Sequence, residues 1–273
     1  MLAAAAMFAA FATFATSATA FAAPPLVVPY GHLGEAGTSL APNLLLNLSL
    51  TFEDAAAAYR DPYSGDIEYA GYFNPRLCYT YPGKVRGSVT EPELDARGYF
   101  SPSRPANARH ECGGAAFSGN LMNWASAATL DLLRLGLTGG DRGIDEAGLT
   151  VVQRAWLPDG AVNPDFYAHP QHFARKSISG ADAAKLTPFA AETLYIVSCR
   201  NRILFSNTQK GKACDAPRFG AGGRRLVSDK YFGEFNVRVS VCTSDDSALR
   251  PDLCRPYGSS FKPEGAIQNS GKR

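Results

Sequence analysis

At 273 residues the chain is long enough to bury a sizeable core, either as one insertion-rich domain or as two small ones. Its 27 lysines and arginines against 25 aspartates and glutamates give a net charge of +2, which excludes the strong basic field of a nucleic-acid or anionic-membrane binder. Glycine (26) and proline (18) are numerous, so we expect a loop-rich globular fold with sparse secondary structure.

The first 23 residues form an uncharged, mostly Ala and Phe run that ends in Ala20-Phe21-Ala22-Ala23 ahead of two prolines. Small residues at this spacing are typical of a signal-peptidase site, so residues 1–23 are predicted to be a secretory signal and residues 24–273 the mature part. No Lys or Arg precedes Arg60, which suggests that the natural leader begins upstream of Met1. The alternative is a membrane anchor, but the alanine-rich run is only weakly hydrophobic. We expect no membrane span after cleavage, and a location in the periplasm or at the cell surface.

Residues 43–52 predict a buried strand, because three leucines after Pro42 are followed by an alternating polar and apolar pattern. Asn47, Ser49 and Thr51 end this strand, where von Willebrand factor A domains place an Asp-x-Ser-x-Ser triplet that holds a divalent cation. Hard cations need carboxylate oxygens, whereas Asn47 offers a neutral carbonyl. We therefore expect a structural strand and no tight metal binding at this degenerate triplet.

Residues 59–112 hold seven of the twelve tyrosines among Gly, Pro and Asp, without helical periodicity. Cys78 lies inside this stretch and Cys112 closes it. The pattern predicts a long loop that a disulfide between these two cysteines ties down.

A helix is predicted to follow, since apolar residues at 121, 125, 128, 132 and 135 fall on one stripe. Ser118 is its predicted N-cap, and Gly139-Gly140 end it with residues that tolerate the left-handed conformation of a C-cap. Residues 149–157 indicate a second, short helix.

Strands are predicted at 194–199 and 202–205 around a tight turn, and at 236–241, where the pattern alternates as in a half-buried strand. Residues 158–190 give no clear pattern. From residue 243 to 273 the chain is polar and rich in Pro, Gly and Ser, which predicts an irregular tail without a terminal strand or helix.

Six cysteines follow the leader, an even number that predicts disulfides in an exported chain. Pairing between neighbours is the simplest connectivity, because Cys199/Cys214 and Cys242/Cys254 each flank a short polar loop. Zinc is the alternative, but no two cysteines stand two to four residues apart, and a proline interrupts the His169–His172 run.

The motifs of the common catalytic and nucleotide-binding sites are absent: there is no nucleophile elbow, zinc helix, phosphate-binding loop or EF-hand loop. The sequence therefore favours a protein that acts through binding surfaces and is not an enzyme. The alternative function is a metal-dependent periplasmic hydrolase that uses His169 and His172 with nearby carboxylates such as Asp165.

Four ordered stretches carry a family resemblance. The strongest lies at 112–155 and resembles the helix signature of PilC/PilY-type proteins, which assemble type IV pili and act as tip adhesins. Three further stretches agree in order: residues 69–79 resemble one motif of that family, residues 237–242 followed by 249–268 resemble another, and residues 43–52 take the place of its first strand. The signature residues are Ser118, Gly119, Asn120, Asn123, Trp124, Asp131, Arg134, Gly139 and Gly140.

This resemblance implies an α/β fold, an incomplete von Willebrand-A-like domain with long disulfide-stapled loop insertions. It implies that residues 53–117 are an insertion between the first strand and the first helix. The family's large C-terminal β-propeller, which carries its calcium loop, is missing from this sequence, so no cofactor is expected in this chain. The implied function is a secreted pilus biogenesis and adhesion factor whose partners are pilins or minor pilins, and host or abiotic surfaces.

Removal of the leader is directly testable. We expect cleavage near Ala22 or Ala23, because the uncharged run ends there in a signal-peptidase pattern. Mass spectrometry of the N-terminus of the protein from its native host measures this. Recovery of the protein from the cytoplasm with an intact Met1 would overturn the prediction that the chain is exported.

Overall fold

The computed structural model describes residues 52–81, 98–114, 116–156, 176–207, 219–220, 224–225 and 231–270. All of them belong to one compact unit, Leu48–Arg273. Several sequence predictions lie outside the described residues. They are the leader, the strand up to residue 51, the Asn47, Ser49, Thr51 triplet, Cys214, and the His169 and His172 pair. Phe52, the last residue of that predicted strand, begins a 3₁₀ turn, Phe52–Ala55.

Short strands dominate the described part of the chain. They are β1 (Leu77–Thr80), β2 (Ser101–Pro105), β3 (Phe117–Ser118), β4 (Asp141–Glu146), β5 (Leu149–Gln153), β6 (Lys176–Ser179), β7 (Thr193–Cys199), β8 (Arg202–Ser206), β9 (Phe219–Gly220), β10 (Arg224–Arg225), β11 (Tyr231–Asn236), β12 (Arg238–Val241), β13 (Cys254–Tyr257) and β14 (Ser260–Pro263). The helices are α1 (Gly119–Ser126), α2 (Thr129–Thr138), α3 (Gly180–Leu186), α4 (Ser244–Leu249) and α5 (Ala266–Ser270). The fold is therefore mixed α/β, as predicted.

Three sheets of three or four strands organise these elements, in the orders β2-β1-β3, β11-β8-β7-β6 and β12-β5-β4, beside the pairs β10-β9 and β13-β14. Each strand ladder within the described ranges is antiparallel. A parallel contact occurs at the isolated bridge between Phe100 and Val239. The parallel sheet expected of a von Willebrand-A-like domain is thus not present among the residues described.

The main core is aromatic and joins α1, the loop at 69–73, β1 and the larger sheets. Phe117 lies at its centre, with its ring centroid 5.3 Å from Phe100, 5.5 Å from Phe189 and 5.4 Å from Phe235. Edge-to-face contacts of this kind add to the free energy of burying each ring.

The segment predicted as an insertion, 53–117, contributes directly to this core. Tyr69, Tyr72, Phe73, Leu77 and Tyr79 all belong to the main cluster of buried side chains. A disulfide joins Cys78 to Cys112, the pairing that the tyrosine-rich stretch predicted. The disulfide ties this segment down, and the segment also supplies several large apolar side chains to the core.

The single helix predicted after Ser118 is two helices in the structure, because Ala127 and Ala128 have extended backbone conformations and interrupt it. The backbone of residues 56–58 pairs with this break: Ala58 N donates to Ala127 O at 2.9 Å and Thr129 N donates to Ala56 O at 3.0 Å. The predicted ends are present, with Ser118 accepting from Leu121 N and Gly139 in the left-handed region. The predicted stripe is buried in α1, whereas Leu132 and Leu135 of α2 are only half-buried.

Two further predictions need correction. Residues 149–157 were expected to be helical, but Leu149–Gln153 form β5, whose β-branched Val151 and Val152 are buried between two neighbouring strands. The strand predicted at 236–241 is interrupted at Val237, whose backbone N–H donates to Asn201 O and whose carbonyl accepts from Arg154 N. Asn236 therefore ends β11 in one sheet, and Arg238–Val241 form β12 in another. The hairpin predicted at 194–205 is present as β7 and β8.

The polar tail predicted at 243–273 is also wrong for the described residues, since 244–270 form α4, the β13–β14 hairpin and α5. Tertiary contacts explain this order. The disulfide that the sequence predicts between Cys242 and Cys254 is present. The two cysteines are 12 positions apart, and the segment between them contains α4. Lys262 Nζ donates to Asp145 Oδ1 at 2.7 Å and to Thr150 Oγ1 at 2.9 Å, which fixes the hairpin to the β4–β5 turn.

Gly136 of α2 and Gly139, the C-cap of that helix, give a matched test of this packing. Gly139 has φ 77°, and a Cβ there would lie 2.5 Å from the carbonyl carbon of Pro263. Gly136 is inside the helix with open space around it. We expect Gly139→Ala to lower the free energy of unfolding by more than about 1 kcal/mol, and Gly136→Ala to raise it by up to about 1 kcal/mol.

Guanidinium chloride unfolding of the oxidised protein, followed by far-ultraviolet circular dichroism, measures both changes. Two variants shifted in the same direction would contradict the left-handed cap and its contact with the C-terminal hairpin.

Candidate functional site

The two asparagines of the signature hold the loop at 67–73 against α1. Asn120 Oδ1 accepts from Tyr69 N at 2.8 Å, and its Nδ2 donates to Ile67 O at 2.8 Å. Asn123 Oδ1 accepts from Phe73 N at 3.0 Å, while its Nδ2 donates to Tyr69 O and Phe73 O, both at 2.8 Å. The two amides thus satisfy the buried backbone of a loop without regular structure.

Gly119 and Trp124 complete this contact. Gly119 lies so close to the carbonyls of Asn74 and Leu77 that a side chain there would clash with the backbone. Trp124 is buried, and its indole N–H donates to Asp61 O at 2.8 Å. The signature of α1 is therefore a clamp on the preceding loop.

A buried lysine covers the C-terminal end of α1. Lys176 Nζ, from β6, donates to Trp124 O and lies 4.6 Å above the centroid of the Trp124 ring. Ser198 Oγ donates to Ala125 O at 3.2 Å. Burial, and to a smaller degree the charge of Arg154, lowers the pKa of Lys176 from its ordinary 10.5 to about 7. This lysine is a proton-binding group inside the core near neutral pH.

Asp131 is the buried residue of α2 and joins that helix to β5. Its Oδ2 accepts from Ala128 N at 3.0 Å, and its Oδ1 accepts from Ala155 N at 2.7 Å. Arg154 Nε lies 4.0 Å from Oδ2, and the Arg154 side chain also donates to the carbonyl of Arg200 at 2.8 Å. Burial raises the pKa of Asp131, while Arg154 and the two backbone N–H groups oppose that rise.

The rest of the signature lies at the other end of α2. Arg134 donates to Asp141 Oδ2 at 3.0 Å, and its carbonyl accepts from Gly140 N at 3.1 Å. Gly139 N donates to Leu135 O at 3.0 Å. Gly139 and Gly140 thus close the helix and turn the chain into β4.

A second buried carboxylate, Asp246 of α4, organises residues 242–270, which we name the C-terminal module. Asp246 accepts from Asn74 Nδ2 at 3.0 Å and from two nitrogens of Arg250 at 2.7 and 2.6 Å. Arg250 also donates to Tyr72 O at 3.2 Å. Although burial opposes it, the Asp246 carboxylate raises the pKa of Arg250.

Cys242, Asp246 and Cys254 also lie close together, with one potential metal-ligand atom from each within 4.8 Å of the others. Both sulfurs are bonded to each other. A disulfide sulfur is not a thiolate, and the Asp246 oxygens are already bound to Arg250 and Asn74. In the oxidised protein this cluster therefore reflects the disulfide and does not form a metal centre.

A surface groove of about 520 Å³ runs between the C-terminal module, the end of α2 and the loop at 68–75. We call it the C-terminal groove. Leu135, Leu249, Leu253 and Ala266 supply apolar side chains to its walls, and Glu68, Asp252 and Glu264 supply carboxylates. This geometry is able to bind a ligand by contact, and none of the catalytic constellations searched for in the sequence lies in it.

The structure thus uses the signature residues as a scaffold. Asn120, Asn123, Trp124 and Asp131 are buried, whereas Arg134 is half-buried. The groove was missed in the sequence, because its walls come from three distant segments. The nearest sequence signal was the motif at 249–268, whose residues Leu249, Arg250 and Gln268 all take part in this region.

Comparisons with known proteins give a consistent result. A family model described as the small alpha/beta domain of PilY1 homologs matches residues 60–219. A type IV pilus biogenesis factor PilY1 homolog of Xylella fastidiosa (strain Temecula1 / ATCC 700964) is 30% identical over 254 residues, which cover 87% of this chain and 19% of that protein. A second protein with the same name and source is 26% identical over 237 residues, 76% of this chain and 14% of that protein. The chain therefore spans less than a fifth of the length of these relatives. No solved structure matches.

Lys176 gives a prediction about pH. Between pH 7 and 10 the unfolded chain binds a proton at Lys176 that the folded chain does not hold. The free energy of unfolding should therefore rise with pH across this window, by at most about 1.4 kcal/mol per pH unit. Below pH 7 both states are protonated and the lysine contributes no slope. We expect Lys176→Met to remove this contribution.

Urea unfolding across this pH range, for the wild type and the variant, measures the difference in slope. Lys185→Met is the matched control, since Lys185 is an exposed lysine whose side chain is 55% accessible. Parallel pH profiles for the wild type and Lys176→Met would contradict a buried lysine that loses its proton near neutral pH.

Proposed function

Because this chain belongs to the PilY1 homologs, we propose that it serves type IV pilus biogenesis as an exported binding module, through contacts with proteins or surfaces and without catalysis. The observation that carries the proposal is the relationship to two curated pilus biogenesis factors over most of this chain. The match covers 19% of one relative and 14% of the other, so the proposal concerns the part that this chain contributes. Adhesion to a host or abiotic surface is a further element of the same proposal.

The use of the signature side chains supports a binding role. Asn120, Asn123, Trp124 and Asp131 donate to, or accept from, backbone groups of other segments. Buried side chains engaged in this way stabilise the fold, so we assign the proposed contacts with partners to other, exposed residues. The proposed partners are pilins or minor pilins, which the module would meet in the periplasm or at the cell surface.

Export of the chain is also proposed. The uncharged run at 1–23 predicts it, and disulfides such as Cys78–Cys112 and Cys242–Cys254 persist in oxidising compartments. Within the described residues, no helix is long and apolar enough to cross a membrane.

A von Willebrand-A-like core would require parallel strands beyond the antiparallel ladders of the described residues. The strand predicted at 43–52 is the candidate for its first strand, and the Asn47, Ser49, Thr51 triplet would stand at its end. We propose this arrangement for the wider protein only, with no tight cation binding at the neutral Asn47.

The test is deletion of the gene in its native host, followed by complementation. We expect the deletion to lower the amount of pilin that can be sheared from the cell surface and the diameter of the twitching-motility zone. The wild-type gene should restore both. A gene carrying His169→Ala and His172→Ala should restore them equally, because the proposed role needs no metal-dependent hydrolysis. Unchanged piliation in the deletion strain would overturn the pilus role. Failure of the double histidine variant, at normal protein level, would instead favour the hydrolase.

A further inference from the structure

We propose that a single water molecule binds in a small buried cavity between α1, α2 and the end of β5, where it connects Asp131 and Arg154 with the hydroxyl of Tyr72. The inference goes beyond the pilus role and does not depend on it, because it concerns the interior of the fold. It assigns a ligand to Asp131, the carboxylate of the signature.

The cavity has the size of one water molecule. The centre of a water molecule has about 10 Å³ in which to move there. Its lining includes Asn123 and Ser126 of α1, Asp131 of α2, Arg154, and Tyr72 from the loop at 67–73, and every residue that lines it is buried. A cavity needs at least about 10–15 Å³ to hold a water, so this one has room for a water and for no larger ligand.

The hydroxyl of Tyr72 needs a hydrogen-bond partner at this place. Its oxygen is buried, and none of the described residues forms a hydrogen bond with it. Burial raises the pKa of Tyr72, and the charge of Asp131 adds to that rise. The backbone of Asp141 opposes the rise, but it does not meet the geometry of a hydrogen bond with this hydroxyl. Buried polar groups are almost always paired with protein or with ordered water, so this hydroxyl indicates a water.

Asp131 and Arg154 leave room for the same water. Arg154 Nε lies 4.0 Å from Asp131 Oδ2, which is longer than the roughly 2.7–3.2 Å of a direct hydrogen bond. Oδ2 already accepts from Ala128 N, and Oδ1 accepts from Ala155 N. A carboxylate oxygen has two lone pairs, so each oxygen is able to accept one further hydrogen bond. A polar contact of this length between buried groups is typical of a pair that a water bridges.

The charge of the lining favours a neutral ligand. Asp131 and Arg154 are the charged residues of the lining and have opposite signs. A buried cation would be repelled by the guanidinium, and a buried anion by the carboxylate. Water is able to donate to Asp131 and to accept from the guanidinium or from the Tyr72 hydroxyl, and about three hydrogen bonds are typical of a buried water.

The water would complete the contact between the helix pair and the loop at 67–73. Asn123 already satisfies the backbone of Tyr69 and Phe73 in this loop. The water gives the side chain of Tyr72, in the same loop, a partner of the same kind. Two signature residues, Asn123 and Asp131, would then hold one loop, the first directly and the second through water.

A high-resolution crystal structure of the oxidised full chain tests the site directly. We expect one ordered water within hydrogen-bond distance of the Tyr72 hydroxyl and of Asp131 or Arg154. A cavity without electron density for water would overturn the proposal. So would a direct hydrogen bond between Asp131 and Arg154 in place of the water.

Tyr72→Phe gives a second test, in which the direction of the change decides. The substitution removes the hydroxyl and keeps the ring. If the hydroxyl is bound to water, its loss should raise the equilibrium constant for unfolding by about two- to tenfold, because a buried hydrogen bond is lost. Guanidinium chloride unfolding followed by far-ultraviolet circular dichroism measures this constant.

Tyr257→Phe is the matched control, since Tyr257 is 63% exposed and its replacement should leave the unfolding constant unchanged. A hydroxyl without any partner disfavours the fold, so its removal would lower the unfolding constant. An unfolding constant for Tyr72→Phe that is equal to or below that of the wild type would therefore overturn the proposal. If Tyr72→Phe does not fold, the crystal structure of the wild type decides the question alone.

Discussion

The carboxamide of Asn123 is the interaction on which much of the structure depends. It makes three hydrogen bonds with the backbone of Tyr69 and Phe73, in a buried setting where water cannot replace them. An unpaired buried polar group costs about 1–3 kcal/mol, so a loop with this backbone is stable in the core only with such a partner. The far end of the same loop carries Asn74 to Asp246 and forms one wall of the C-terminal groove. The helix amide therefore supports both the aromatic core and a surface some distance away in sequence.

Two buried carboxylates repeat this principle at two corners of the fold. Asp131 accepts backbone N–H groups from the start of α2 and from the residue after Arg154, while Asp246 accepts from Asn74 and from Arg250. Each carboxylate has an arginine nearby, at 4.0 Å for Asp131 and at 2.6 Å for Asp246. Ion pairs in such settings contribute little net stability, but loss of one partner leaves a buried charge that disfavours the fold. Each carboxylate therefore ties together segments that are distant in sequence, and a variant that removes one partner should destabilise the fold.

The features predicted correctly from the sequence are those that depend on local patterns of residues. The Ser118 cap, the Gly139 helix end, the β7–β8 hairpin and the Cys242–Cys254 disulfide are present, because capping, turn chemistry and short cysteine spacing act over few residues. The Cys78–Cys112 disulfide has a sequence separation of 34 and was predicted because both cysteines belong to the tyrosine-rich stretch at 59–112. The break at Ala127 and Ala128 was missed because it depends on pairing with residues 56–58, about seventy positions earlier.

Tertiary contacts account for the other differences. Residues 149–153 form a strand because they are bordered by β4 and β12, and the module at 242–270 is ordered by Asp246, Lys262 and a disulfide. For the candidate site, the positions of the signature residues were predicted from the family resemblance. Their role as a scaffold was not, since Asn120, Asn123 and Trp124 bind backbone groups that lie 50 to 63 positions away in the chain.

The same constraints connect the C-terminal groove to the Cys242–Cys254 disulfide. Five of the residues that line the C-terminal groove, Leu249 to Leu253, lie between Cys242 and Cys254 in sequence. Asp246 holds Arg250 from inside that loop, and Asn74 joins it to the loop at 68–75. Closing a loop of this size lowers the entropy of the unfolded chain, which favours the folded state by about 3 kcal/mol in the chain-entropy model. The disulfide and Asp246 therefore hold one wall of the groove, and the amides of Asn120 and Asn123 hold the opposite wall through the backbone of Tyr69 and Phe73.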